Sequence, residues 1–136
     1  MLGFISNMIN HKKEDTKIVI NEDTEYIAFK NDRIPSAFLV LGEKMISNSK
    51  SWNDGYGDYL KVTYSSFSKL DAYIYATNLV IGNYVTIEDK NDNVILAIES
   101  IDSDYILTVD VKILNNDIVE IIYSKKKGNI ERENNE

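Results

Sequence analysis

The 136-residue chain has no cysteine, one histidine, one proline, one tryptophan and six glycines. Without cysteine there is neither a disulfide framework nor thiolate chemistry, and His11 alone cannot build a zinc site of the Cys/His kind. The lack of disulfides mildly favours a reducing compartment and excludes nothing outside it. The nucleophile elbow GxSxG, the phosphate loop GxxxxGK[ST] and the dinucleotide fingerprint GxGxxG are all missing. No apolar run approaches the about 20 residues of a membrane-crossing helix. The N-terminal "MLGFISNMINHKK" has no basic region ahead of its apolar residues and is interrupted by Ser6, Asn7 and Asn10, unlike a signal peptide. A cytoplasmic chain with no membrane partner is expected.

What is present describes an ordinary folding domain. A hydrophobic fraction of 43% and a charged fraction of 27% suit a globular chain, and the length matches one domain able to bury a core. The formal net charge is −7, which argues against a phosphate-binding surface and so against sequence-specific nucleic-acid recognition. Between Tyr84 and Ser124 the acids running from Glu88 to Glu120 are opposed only by Lys90 and Lys112, and then comes "KKK", Lys125 to Lys127. Such a body suits either solubility or contact with basic protein surfaces.

Alternation and turn residues predict strands. "YVTIED", "NVILAIESI", "YILTVDVKI" and "DIVEIIYS" follow one another with short Asn/Asp-rich breaks, the pattern of a four-stranded antiparallel meander. In the third run Tyr105, Leu107, Val109, Val111 and Ile113 share one face; the second, apolar on both faces, belongs nearer the middle of the sheet. Upstream, "KIVI", "EYIAFK" and "SAFLVLG" read as strands with "NED" and "NDRIP" as turns, and "YLKVTYSSF" places Leu60, Val62 and Tyr64 on one face.

"SKLDAYIYATNLVIG", residues 68–82, fits two patterns. Leu70, Ala72, Ile74 and Ala76 alternate as in a strand, the favoured reading, whereas Ser68 with Asp71 mimics a helix N-cap and Leu70, Tyr73, Ile74 and Thr77 form a helical stripe. The expected fold is therefore mainly β: a small antiparallel barrel or sandwich ending in a four-stranded meander, with a short helix over 68–80 as the alternative there. Residues 1–13 form an N-terminal arm or short helix, 14–124 a single β-rich domain, and 125–136 a flexible polar tail.

No catalytic, cofactor or metal site emerges. "DKNDN" places Asp89, Asn91 and Asn93 at the first positions of a calcium loop, but Val94 stands where glycine is needed and Ser100 where a bidentate glutamate is needed. Asp110, Lys112, Glu99 and Glu120 suggest a metal-dependent nuclease constellation, yet carboxylates and lysines on a water-facing sheet also pair as ordinary stabilisation. The distinctive stretch is "NSKSWNDGYGDY", residues 48–59, whose glycines and Asn/Asp mark a loop carrying Trp52, Asn53, Asp54, Tyr56, Asp58 and Tyr59. It reads as a loop folded back on the body, a protein-contact loop rich in aromatic residues, or a small-ligand or ion site. As a protein-contact loop, these six residues are the candidate site.

Residues 78–111, "NLVIGNYVTIEDKNDNVILAIESIDSDYILTVDV", resemble the small β-barrels of tailed-bacteriophage head–tail connector proteins of the head-closure or stopper type, where a "G-x-Y-V" turn leads into short hairpins. The resemblance implies a compact barrel with a projecting loop, here the segment around Trp52, and mobile termini. It also implies copies assembled in a ring beside neighbouring virion proteins, so that the chain would sit in the host cytoplasm during assembly and later in the virion. The leading functional expectation is thus a non-enzymatic assembly module whose partners are other protein subunits. The alternative is an acidic inhibitor, an immunity or anti-defence protein that covers a basic site on a toxin or enzyme.

Overall fold

The computed structural model describes residues 17–130, and the statements below concern those residues. The arm expected over 1–13 and the chain beyond Ile130 lie outside them.

Eight strands and two helices follow the order β1 (Tyr26–Phe29), β2 (Asp32–Pro35), α1 (Ala37–Leu41), β3 (Met45–Asn53), β4 (Gly57–Ser65), α2 (Lys69–Ile81), β5 (Val85–Lys90), β6 (Asn93–Glu99), β7 (Tyr105–Asn115) and β8 (Ile118–Lys127). Six of the strands form one antiparallel sheet in the order β3-β4-β8-β7-β6-β5, and β1 and β2 form a separate hairpin. The mainly β fold and the terminal meander are as the sequence predicts. Of the two expected closures, the barrel is absent, because β3 and β5 are free edges of an open sheet. The architecture is sandwich-like, with the hairpin and both helices covering one sheet face.

That face follows from strand periodicity. Register aligns Leu60, Val62 and Tyr64 of β4 with Tyr123, Ile121 and Val119 of β8, and these with Val109, Val111 and Ile113 of β7. Together with Leu96 of β6 they form the floor of the core, covered by Ile27, Phe29 and Ile34 of the hairpin, Ala37 of α1, and Ala72, Tyr75 and Leu79 of α2.

Three sequence assignments need correction. "SAFLVLG" is a short helix, because Ser36 caps it by accepting the Leu39 N–H while its hydroxyl donates to the Thr24 carbonyl. "NDRIP" is mostly strand β2; only Lys30 and Asn31 turn, with Lys30 at φ 50°. "KIVI" is not a strand, although Ile20 enters the core.

The ambiguous segment 68–82 is helix, not the favoured strand. Local bonds that a period-two count cannot see decide it. The Ser68 hydroxyl accepts the Asp71 N–H at 3.0 Å and the Asp71 carboxylate accepts the Ser68 N–H at 3.0 Å, a complete capping box. Burial alone would raise the Asp71 carboxyl, but the Ser68 N–H and the Lys44 ammonium, 2.9 Å away, hold it below its ordinary value. At the other end Tyr84 N–H reaches the Leu79 carbonyl and Asn83 N–H that of Val80, each at 3.0 Å, with Asn83 at φ 80°. This is a Schellman stop with asparagine in the left-handed position, and Tyr84 and Leu79, both buried, make its apolar contact.

Ser68→Ala removes half of the capping box and is expected to destabilise the fold by about 1 kcal/mol in denaturant unfolding. A loss indistinguishable from zero would show that α2 is held by tertiary packing alone.

Candidate protein-contact surfaces

The stretch 48–59 is a hairpin rather than a loop. Asn48 to Asn53 belong to β3 and Gly57 to Tyr59 to β4, leaving Asp54, Gly55 and Tyr56 as the turn. One Asp54 carboxylate oxygen accepts the N–H groups of Tyr56 and Gly57 at 3.0 and 3.2 Å, and Gly55 takes φ 86°. Gly57 admits no side chain, since a Cβ there would lie 2.3 Å from the Lys125 carbonyl oxygen. Trp52 and Tyr59 face each other across the strands, their rings stacked at 5.2 Å and 7°. Trp52 is therefore half-buried on the sheet surface and does not project. Burial first, then the charges of Asp54 and Asp58, raises the Tyr59 phenol. Asn53 pairs with Asp58 at the end of the ladder; Asn53 and Asp54 are exposed, and of the three aromatic residues only Tyr56 stands out into solvent, 69% exposed.

The hairpin tip abuts the one buried lysine. Strand β8 continues through Lys127, beyond the boundary expected at Ser124, and Lys125 turns inward instead of joining a basic patch. Its ammonium lies 2.9 Å from Asp32 of β2 and also pairs with Asp102 in the β6–β7 connection. Asp32 further accepts the Ser100 hydroxyl at 2.6 Å and the Ile101 N–H at 3.0 Å, and Asn31 donates to Asp102 at 3.2 Å. Burial opposes the charge on Lys125, but the hydrogen bonds and fields of Asp102 and Asp32 prevail and raise its pKa. Burial likewise opposes ionised Asp32, yet Ser100, Ile101 and Lys125 hold its carboxyl below the usual value. Lys125 bonding, then Asn31, lowers Asp102. A lysine so paired is held protonated at neutral pH and its charge is met by two carboxylates, so in the cleft of about 340 Å³ that it lines with Lys30, Tyr56, Asp58 and Tyr105 it is a structural group and not a nucleophile. The cluster is a staple between the β1–β2 hairpin and the sheet.

The remaining acids do not converge. Asp110 accepts Asn93 at 2.6 Å, and Glu120 lies opposite Lys112. Glu99 lies four residues along β6 from Ile95, the partner of Asp110, a displacement of about 13 Å, and accepts the Ile130 N–H. The nuclease constellation is thus not assembled. Asp89 to Asn93 form the β5–β6 hairpin. Among the described residues, no group of three or more His, Cys, Asp or Glu could hold a metal ion. No helix among them is long and apolar enough to cross a membrane.

The surface missed from sequence is the outer side of α2. The stripe Leu70, Tyr73, Ile74 and Thr77 is helical, but it faces solvent; Ala72, Tyr75 and Leu79 face the core. Leu70 is 64% exposed, Tyr73 71% and Ile81 75%, with Ile74 and Val80 also exposed and Val85 of β5 alongside. Beside this ridge a cleft of about 200 Å³ runs between α2 and the β5–β6 hairpin, lined by Tyr73, Ala76, Thr77, Val80, Thr86 and Val94. A helix with large apolar side chains on its outer side as well as its core side departs from the polar outer face of an ordinary surface helix. The helical stripe is legible as spacing, but nothing local says which side of a helix meets the sheet.

Lys125→Met strands Asp32 as a buried charge and is expected to cost about 3 kcal/mol. Asp32, lowered when folded, contributes stability above its unfolded value of 3.8 that is lost as pH falls through its folded value. Lys125, raised when folded, contributes stability below 10.5 that is lost as pH rises through its folded value. The stability difference between wild type and variant should therefore narrow below pH 3.8 and above pH 10.5 in denaturant melts. A difference independent of pH would contradict the staple.

Compared with protein-family models, with curated proteins and with solved structures, the chain matches none.

Proposed function

We propose that this protein is a non-enzymatic protein–protein interaction module, a subunit that works by docking the outer face of α2 on another protein. The observation that carries the reading is the run of exposed apolar side chains from Leu70 to Ile81 on a helix whose opposite side is fully engaged with the core. Exposed apolar patches of this kind mark interaction sites. The sheet edges support the same choice. Each carries a bulge, at Ser47 in β3 and Ile87 in β5, and polar or charged residues such as Asn48, Lys50, Glu88 and Asp89, features that discourage strand addition. Tyr56 at the β3–β4 tip offers a second, smaller contact.

The more specific form, a structural subunit of a phage head–tail connector, rests on the resemblance over 78–111. Those residues span the end of α2, β5, β6 and most of β7. The resemblance implies a closed barrel where this sheet is open, so the surface of α2 carries the general reading. The acidic-inhibitor alternative calls for one acidic face, whereas Asp102, Asp110 and Glu120 each lie beside a lysine or asparagine.

Affinity capture of the tagged chain from its native host, compared with Leu70→Glu/Ile81→Glu, tests the proposal. The wild type should retain a protein in stoichiometric amount and the variant should lose it. Portal or tail proteins would specify the connector form. A single toxin or defence enzyme retained equally by the variant would overturn the α2 reading in favour of inhibition.

A further inference from the structure

The outer face of α2 has an order that a general apolar patch lacks. Leu70, Ile74, Thr77 and Ile81 are spaced four, three and four residues apart, which places all of them on one narrow line along the helix. The line is also nearly palindromic. Reversed about the midpoint between Tyr75 and Ala76, position 70 falls on 81 and position 74 on 77, so large apolar Leu70 meets large apolar Ile81, and Ile74 meets the smaller Thr77.

The ends complement each other in charge. The last turn of α2 has no basic side chain of its own to offset its carbonyl dipoles. Lys69, at the first position, has an exposed ammonium whose partner, Asp92, is 3.8 Å away and itself solvent-exposed. In an antiparallel pair Lys69 of each helix lies beside the other's carbonyl terminus, where a cation is favourable. The two macrodipoles are also antiparallel.

We infer that α2 packs antiparallel against α2 of a second copy of this chain, about a twofold axis midway along the helix, with Leu70 on Ile81 of the other copy. The inference rests on the reading that this face is a contact surface and names its occupant. An isologous pair of this kind is self-complementary and closed. A single pair of 13-residue helices is a small interface, which places the association at the weak end of specific contacts. The net charge of −7 on each copy opposes association at long range, so added salt strengthens it.

Sedimentation equilibrium from about 1 to 500 μM tests the association. A monomer–dimer equilibrium is expected, shifted towards dimer by salt and abolished by Leu70→Glu, with circular dichroism and the thermal midpoint little changed because Leu70 is exposed. The absence of native cysteine permits an independent test that does not depend on disrupting the face. A mixture of Leu70→Cys and Ile81→Cys chains should oxidise to the mixed dimer, whereas Leu70→Cys alone should not. In the antiparallel pair two copies of residue 70 stand about 16 Å apart along the axis, beyond the roughly 7 Å Cα separation that a disulfide spans. Efficient cross-linking of Leu70→Cys to itself, or a wild-type chain that stays monomeric throughout, overturns the inference. A monomeric chain whose Leu70→Glu/Ile81→Glu variant still loses a captured partner would leave the interaction-module reading standing and refute only the second copy; a monomer whose variant loses nothing would refute both.

Discussion

The Tyr75 hydroxyl ties together three elements distant in sequence. It donates to the Pro35 carbonyl at the end of β2 at 2.6 Å and shares a hydrogen bond of 2.9 Å with the Tyr123 hydroxyl of β8, to which Tyr64 of β4 is also bonded. Tyr75 and Tyr123 are fully buried, so each phenol needs a partner, and the arrangement supplies one to each. Burial raises both phenols, and it pushes Tyr64 up to about 12, so the cluster stays protonated and hydrogen-bonded throughout the neutral range. Its geometric consequence is larger than its energy. With Tyr75 pinned inward between sheet and hairpin, the rotation of α2 about its own axis is set, and Leu70, Ile74, Thr77 and Ile81 must face away.

A second fastening acts at the far end of the hairpin, where Lys125 joins Asp32 and Asp102. The two fastenings hold the β1–β2 layer at both ends of β2, through Pro35 and Asp32. One uses phenols raised by burial, the other a lysine and carboxylates that neutralise each other. Outside these fastenings, α2 presents Leu70, Tyr73, Ile74, Val80 and Ile81 to solvent.

Much of this was legible in sequence. Alternation in β4 gives its core face, Leu60, Val62 and Tyr64, and in β7 it places Leu107, Val109 and Val111 on the core, although Ile106 and Thr108 of the opposite face are buried as well. The short β2 and α1 were not legible, since four or five residues carry too little periodicity and their identity depends on the Ser36 cap and on pairing with β1. Segment 68–82 was misread for a different reason. Its β-branched and aromatic content matches strands, and the capping box outweighed that preference once the sheet offered Tyr75 a place. The contact residues divided similarly. Trp52 and Tyr59 read as members of one loop, but they stack on each other across a hairpin, which only strand register reveals. The stripe of Leu70, Tyr73, Ile74 and Thr77 is visible as spacing, but its continuation to Ile81 and its outward direction follow from the helix end and from Tyr75 and cannot be read locally.

The outer side of α2 presents one apolar line, and what covers it decides how the protein works. Isotope-filtered NMR on an equimolar mixture of labelled and unlabelled chain examines that contact atom by atom. Intermolecular cross-peaks between the methyl groups of Leu70 and Ile81 are the predicted result. Intermolecular contacts confined to the β3–β4 tip or to a sheet edge, with the α2 methyls silent, would contradict it.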